Sequence, residues 1–313
     1  MYDVIIVGGG PAGLNAALVL GRCRRRVLVC DAEEPRNACS PRVSGFLSRD
    51  GILPGELRRI AREQLKPYPG VEIRKIHVTD ARGLDGGFEV ETEAGERIGC
   101  RKLLLATGLT DDLPDIPRFR ELYGRGVYNC PYCDGWENQD LPMAVYGQKS
   151  CGVGLALEML IWSRDVTLLT DGPAGLTEED KAKLDRHAIP VIETRVTALE
   201  GENHLGRIRF ADGTVLDRRS LFFIHGERLP SGLVETLGCE LTHGGVVKTH
   251  SYERTNVPGL YVAGDASRRV QFAVVAAAEG AMAAFAINNE LLDADVASGA
   301  LEPERRRPDR ARA

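Results

Sequence analysis

The chain has 313 residues, 43% of them hydrophobic and 27% charged, with a formal net charge of −5 at neutral pH. That balance belongs to a globular protein of about two domains with a core of its own. The acidic charge argues against a nucleic-acid binder, and no apolar run reaches the roughly 18–20 residues that cross a bilayer.

Val4-Ile5-Ile6-Val7 is a continuous apolar run, the pattern of a buried parallel strand, and too short for a signal peptide. It stops at Gly8-Gly9-Gly10-Pro11-Ala12-Gly13, and Leu14 to Leu20 follows, rich in helix formers. A second apolar run, Val27-Leu28-Val29-Cys30, ends at Asp31. Strand, glycine turn, helix, strand and acid make a βαβ unit. In that context Gly8-x-Gly10-x-x-Gly13 is the fingerprint of an adenine-dinucleotide site. Glycines admit the pyrophosphate, the helix N-terminus supplies N–H groups, and Asp31 stands where an acid takes ribose hydroxyls. The motif alone does not distinguish FAD from NAD.

Further along, Leu103 to Gly108 reads as a strand entering a turn, and 111–117 is acidic and proline-rich, as interdomain linkers are. Cys130-Pro131-Tyr132-Cys133 is the only Cys-x-x-Cys, and no second pair or His-x-x-x-His completes a zinc site, so no metal is expected. Two cysteines at this spacing close a small disulfide ring, and either thiol can form a mixed disulfide with a partner. A flavin takes the two electrons that a dithiol yields. The other six cysteines, Cys23, Cys30, Cys39, Cys100, Cys151 and Cys239, are scattered and read as buried thiols in a cytoplasmic protein. Met143 to Tyr146, Val153 to Trp162 and Val166 to Leu169 form a second strand–helix–strand unit, and a second interdomain crossing is expected near 242–245. The last strand spans Gly259 to Asp265, an alanine-rich helix follows over 273–290, and the arginine-rich residues 298–313 read as a disordered tail.

The glycine turn, Ala106-Thr107-Gly108 and Thr255-x-x-Pro258-Gly259-Leu260-Tyr261-x-Ala263-Gly264-Asp265 together resemble the two-dinucleotide-domain flavoproteins. Gly124-Arg125-Gly126-Val127 ahead of Cys130-Pro131-Tyr132-Cys133-Asp134-Gly135 resembles the redox-active segment of low-molecular-weight thioredoxin reductases. The resemblance implies an α/β fold of two Rossmann-like domains, the second inserted in the first. Residues 1–112 and 243–297 would bind FAD, and 113–242 would carry the dithiol. FAD would then rest on Gly8, Gly10, Pro11, Ala12, Gly13 and Asp31, on Arg36 and Asn37 past the acid-bearing strand, and on Ala106, Thr107 and Gly108. Gly264 and Asp265 would approach the ribityl chain. Val270-Gln271-Phe272-Ala273 stands where the family usually reads Arg-Gln-Ala, and either Gln271 reaches the flavin or Phe272 packs on its ring. By the same resemblance Cys133 faces the flavin C4a and Cys130 exchanges with the partner disulfide. Asp134 is a proton shuttle on the family reading and a helix cap on the local one. Tyr132 and Trp136 either shield the sulfurs or merely pack, and Cys39 either touches the ring or is a packed thiol.

The inserted domain departs from the family. Gly147 is kept, but Gln148 and Lys149 fill the next two glycine positions, and Thr170-Asp171-Gly172 replaces the cluster that grips the NADPH 2′-phosphate. Bulk obstructs the pyrophosphate and an aspartate repels the phosphate, so NADPH is not expected as donor. A competing reading makes Gly152 and Gly154 a displaced turn with Asp171 on NADH ribose. The expected protein is a homodimeric FAD-dependent thiol–disulfide oxidoreductase, acting on a thioredoxin-like protein or a small-molecule disulfide. Ferredoxin or another non-NADPH donor would supply its electrons. The alternatives are a dithiol oxidase passing electrons to O2, an NADH-dependent disulfide reductase, and a non-catalytic flavin redox sensor.

Overall fold

The computed structural model describes residues 1–268 and 270–301, so residues 302–313 of the expected tail lie outside the described residues. The chain opens with β1 (Tyr2–Val7), α1 (Pro11–Arg22), β2 (Val27–Cys30), α2 (Pro54–Leu65) and β3 (Val71–Arg74), then β4 (Val78–Leu84), β5 (Gly87–Thr92) and β6 (Arg97–Leu105). Strands β3, β2, β1 and β6 lie side by side in parallel. The apolar run in β1 is continuous because both of its faces are covered. Val4 and Ile6 join one core, and Ile5 and Val7 join another on the opposite side. The first half of β6 pairs antiparallel with β5, which pairs with β4 in a meander that no sequence signal announced.

The acidic stretch after β6 is not a slack linker. It forms β7 (Thr110–Asp112) and leads into the second body. There α3 (Phe119–Leu122), β8 (Val127–Tyr128), α4 (Pro131–Asp134), β9 (Met143–Tyr146), α5 (Lys149–Met159), β10 (Val166–Leu169), α6 (Glu178–Arg186) and β11 (Val191–Ile192) follow in order. Next come β12 (Val196–Glu200), β13 (Arg207–Phe210), β14 (Val215–Asp217) and β15 (Ser220–Phe223). Strands β11-β10-β9-β15-β8 form a parallel sheet, and β12 to β14 make a small antiparallel sheet sharing a core with it. α5 starts at Lys149 rather than Val153, so the residues read as a degraded turn are its first turn.

The chain returns through β16 (Gly226–Arg228), which pairs antiparallel with β7. Both crossings therefore run in one two-stranded ribbon. Beyond it, α7 (Leu233–Thr236) buries Leu233 and Val234 against Leu28, Phe88 and Val90 of the first body. The return thus lies upstream of the expected 242/243 boundary, because those two leucine and valine side chains belong to the first core. The Gly244-Gly245 signal is instead a turn closed by Leu241 and Val247. β17 (Leu260–Val262) joins the second half of β6 in parallel, and α8 (Ala273–Ala297) runs past the expected Glu290 end.

Cys30 and Cys100 are buried, but Cys23, Cys39 and Cys151 are exposed, against the expectation of buried thiols. Each exposed one sits at an element end, where the main chain turns toward solvent. Among the described residues no helix is long and apolar enough to cross a membrane.

Candidate active site

The turn after β1 is built on close backbone approach. A Cβ on Gly8 would lie 2.1 Å from the Ala106 carbonyl oxygen, one on Gly9 2.1 Å from Asp31 Oδ2, and one on Gly13 1.9 Å from the Gly8 oxygen. Gly10 differs: a Cβ there meets nothing within 4 Å. It precedes α1, whose N-terminus has no side-chain cap and carries Pro11 at its start. Open space above uncapped N–H groups is the cradle that a dinucleotide pyrophosphate fills, so these residues fit FAD. The ends of β1, β6 and β17 are neighbours in the sheet, which brings Ala106-Thr107-Gly108 and Gly264-Asp265 to the same edge. Asp31 is buried, pairs with the Arg62 guanidinium and accepts the Glu33 N–H at 3.0 Å.

Arg36 lies in the short helical turn that it shares with Asn37. Its guanidinium forks onto Asp111, reaches Asp265 at 3.1 Å and Glu227 at 3.3 Å, and donates to Gln271. Asp111 also accepts the Tyr123 hydroxyl at 2.7 Å and the Asn129 amide at 3.1 Å. One arginine thereby joins the first body, both ribbon strands and, through Asp111, the second body. Burial pushes the Asp265 carboxyl up, and Arg36 opposes that shift. Ala273, the first residue of α8, follows directly after Phe272.

Cys130 and Cys133 form a disulfide with Cα atoms 5.3 Å apart. Cys130 caps α4, and its sulfur accepts the Cys133 N–H at 3.2 Å. Tyr132, between them, meets Phe272 edge-on at 6.0 Å and Trp162 at 5.8 Å between ring centroids. The dithiol helix therefore faces the first body beside the start of α8, where Phe272 meets Tyr132. Tyr132 and Trp136 are themselves 62% and 70% exposed.

Asp134 caps no helix N-terminus. Cys130 holds that place for α4, and Gly135 precedes the next helical turn. Burial pushes its carboxyl up to about 7, Glu137 adds to the rise and Arg42 opposes it. Arg42 and Glu137 pair across the two bodies at 2.8 Å. A carboxyl that titrates near neutrality can both give and take a proton.

The second turn keeps the packing but not the bare middle position. A Cβ on Gly152 would lie 2.6 Å from the Gly147 oxygen, the counterpart of Gly13 against Gly8. Gly152 is thus the third glycine of the original register, and Gly154, with nothing within 4 Å, packs against no turn. The displaced-turn reading is overturned by that geometry. The middle position is Lys149, in the left-handed region at φ +54°. Its N–H donates to the Ala174 carbonyl at 3.2 Å, Ser150 donates to Asp180 at 3.0 Å, and the Gln148 amide bonds the Thr170 carbonyl at 2.9 Å. Asp171 does not face an empty site. It accepts the Tyr146 hydroxyl at 2.9 Å and the Val196 N–H at 2.6 Å.

Arg42, Arg62, Asp111 and Glu227 escaped the sequence reading because their partners lie far away along the chain. The residue types carry no periodic signal that would pair them.

The family model for pyridine nucleotide-disulphide oxidoreductases matches residues 2–280. The thioredoxin reductase tcpT of Claviceps purpurea is 32% identical over 283 residues, 85% of this chain and 86% of that protein. The crystal structure of HlmI is 38% identical, with a TM-score of 0.91 over 96% of this chain and 95% of that one. An oxidoreductase structure from Agrobacterium tumefaciens is 35% identical, with a TM-score of 0.87 over 93% of this chain and 99% of that one. FAD is the cofactor of these flavoproteins, and Gly10 leaves the bare backbone that its pyrophosphate would approach. With its fold, its disulfide and its matched length in agreement, the chain belongs to the pyridine nucleotide-disulphide oxidoreductase family and is an FAD-dependent, thioredoxin reductase-like disulfide oxidoreductase.

Proposed function

We propose that the protein relays electron pairs between FAD and a partner disulfide through Cys130 and Cys133, without NADPH as donor. The observation that carries this reading is the disulfide helix docked on the first body through Tyr132 and Phe272, while the middle position of the second glycine turn is a lysine whose N–H is bonded to Ala174. Gly8, Gly10, Pro11, Ala12, Gly13, Asp31 and the Asp265 loop would hold FAD, which when bound would supply a two-electron store. Two electrons and two protons open the Cys130–Cys133 bond. Cys130, as thiolate, then attacks the partner disulfide, and Cys133 resolves the mixed disulfide, releasing the partner as a dithiol. Asp134 exchanges the protons that thiol and thiolate trade.

The second body supports a non-nucleotide donor, ferredoxin being one such class. Lys149 stands at the middle position of the second turn, where the fingerprint calls for a bare backbone, and its N–H donates to the Ala174 carbonyl. The same turn favours a second reading, in which thiols are the electron source and O2 the sink. Anaerobic titration of the bound flavin with dithiothreitol tests the relay. Two equivalents of electrons should open the disulfide and two more should bleach the flavin. Bleaching that is unchanged in Cys130→Ser would refute it, whereas O2 uptake driven by dithiols would select the oxidase.

The partner we assign is a thioredoxin-like protein or a small disulfide, in the cytoplasm, where exposed cysteines such as Cys23 and Cys151 stay reduced. A second copy of the chain is the expected subunit partner. Met282, Phe285, Leu292 and Val296 leave an exposed apolar stripe along α8, and sedimentation at micromolar concentration would show a monomer if that assignment fails.

A further inference from the structure

α8 places a carboxylate in the middle of an alanine run. Glu279 is 3% exposed, which is costly for an ionised side chain unless every oxygen is bonded. Both are. Oε2 accepts the Gly264 backbone N–H at 2.7 Å, and Oε1 accepts Nε of Arg268 at 2.7 Å. Arg268 in turn forks onto Glu253, 1% exposed, at 2.7 and 2.8 Å and reaches Thr249 at 2.9 Å. Buried ion pairs add little net stability over a packed apolar core, so the contribution to look for is geometric.

The geometry lies at the two cofactor loops. Gly264, at φ +83°, turns the chain out of β17 and points it into Asp265. Its Cβ would lie 3.2 Å from the Ala12 Cβ, in the glycine turn. Gly280, next to Glu279, has no Cβ where one would stand 2.0 Å from the Ala12 carbonyl oxygen. Two consecutive residues of α8 therefore grip two loops that are more than 250 residues apart in sequence.

We propose that Glu279 and Gly280 are positioning residues that set the Gly8–Gly13 turn and the Gly264–Asp265 loop in one FAD-competent arrangement, Arg268 and Glu253 holding the Glu279 carboxylate in place. The pair acts through Gly264 and Ala12 and does not touch the cofactor. It rests on the assignment of those loops to FAD, which Gly10→Ala tests separately. If that variant keeps FAD at wild-type affinity, the assignment fails; if it loses FAD while Glu279→Ala keeps it, the positioning role alone fails.

The holoprotein is heated while flavin fluorescence reports FAD release and far-UV ellipticity reports unfolding. In the wild type the two should coincide. In Glu279→Ala, FAD should leave before the fold is lost and dissociate about tenfold faster at fixed temperature, the scale of one charge-assisted bond to the main chain. Glu279→Gln keeps an oxygen for the Gly264 N–H and should recover most of that loss. Release that stays coincident with unfolding, at the wild-type rate, overturns the proposal. So does a Gln variant no better than Ala, since the bond to Gly264 would not be the operative contact. Should Glu279→Ala fail to fold, Arg268→Lys, which keeps the charge but loses the fork, decides by the same two signals.

Discussion

The two glycine turns of this chain share a skeleton and differ at one position. Gly8 and Gly13 are matched by Gly147 and Gly152, and in each pair the later glycine sits against the carbonyl of the earlier one. That contact lets a helix lie close to its strand, a demand made by the fold whatever is bound. The middle position answers only to a ligand. Gly10 opens onto free space, whereas the counterpart Lys149 carries a side chain and its N–H is already bonded to Ala174. A degraded fingerprint therefore has to be read position by position. Loss of the middle glycine speaks about the ligand, while loss of an outer one would speak about the fold.

The largest expected effect tests whether the dithiol, and not the second turn, is the route for electrons. Cys130→Ser and Cys133→Ser should each abolish disulfide turnover. Cys130→Ser should show a long-wavelength charge-transfer band from the remaining thiolate beside oxidised flavin, and Cys133→Ser should lack it. Identical absorption spectra would contradict the assigned order of the thiols.

NADPH sharpens the contrast between the turns directly. An obstructed pyrophosphate anchor and an acidic residue near the phosphate position should together weaken binding roughly 30- to 10,000-fold relative to an intact site. Stopped-flow mixing under nitrogen checks this. Complete bleaching within seconds at micromolar NADPH would mean that the second turn opens.

Asp134 titrates at about 7 through burial, so it is mostly protonated below that pH and ionised above it. When the dithiol reduces the flavin, the thiols shed protons, and only the ionised carboxylate can accept one. The anaerobic bleaching rate should therefore rise as pH increases through about 7. Asp134→Asn should lose that inflection and slow the step about 10²-fold. An unchanged inflection in the variant would assign it to another group.

A smaller effect separates ligand space from packing in the first turn. Gly10→Ala should fold normally yet bind FAD about tenfold or more weakly, because its methyl group enters space reserved for the ligand. Gly13→Ala should instead lower the melting temperature, since its Cβ would stand 1.9 Å from the Gly8 oxygen. Equal FAD loss and equal destabilisation in the two variants would erase the distinction. The smallest effect is in the second turn. Lys149→Gly alone should not restore NADPH reduction, because Ala174 and Asp180 still engage the first turn of α5.

Much of this was legible in the sequence because it is local. The run Val4 to Val7 with its glycine turn, the strands Val27–Cys30, Met143–Tyr146 and Val166–Leu169, and the Cys-x-x-Cys segment each carry their signal within a few residues. Apolar periodicity and glycine spacing act over that range, so the α/β class could be read directly, while the inserted arrangement followed from the family resemblance that those segments carry. The return crossing could not. Leu233 and Val234 look like any apolar pair until the core they enter is known, and the Gly244-Gly245 turn imitates a boundary. The electrostatic network was equally hidden. Arg36 meets Asp111, Glu227 and Asp265 only because the ribbon and the sheet edge bring distant segments together, and Glu279 meets Gly264 only because α8 packs on α1. The sequence by itself determined which elements form and which chemistry they carry, through short-range sterics and burial. Tertiary structure decided which charges meet, which glycine faces a ligand and which body the dithiol faces, because those contacts depend on the relative placement of whole elements.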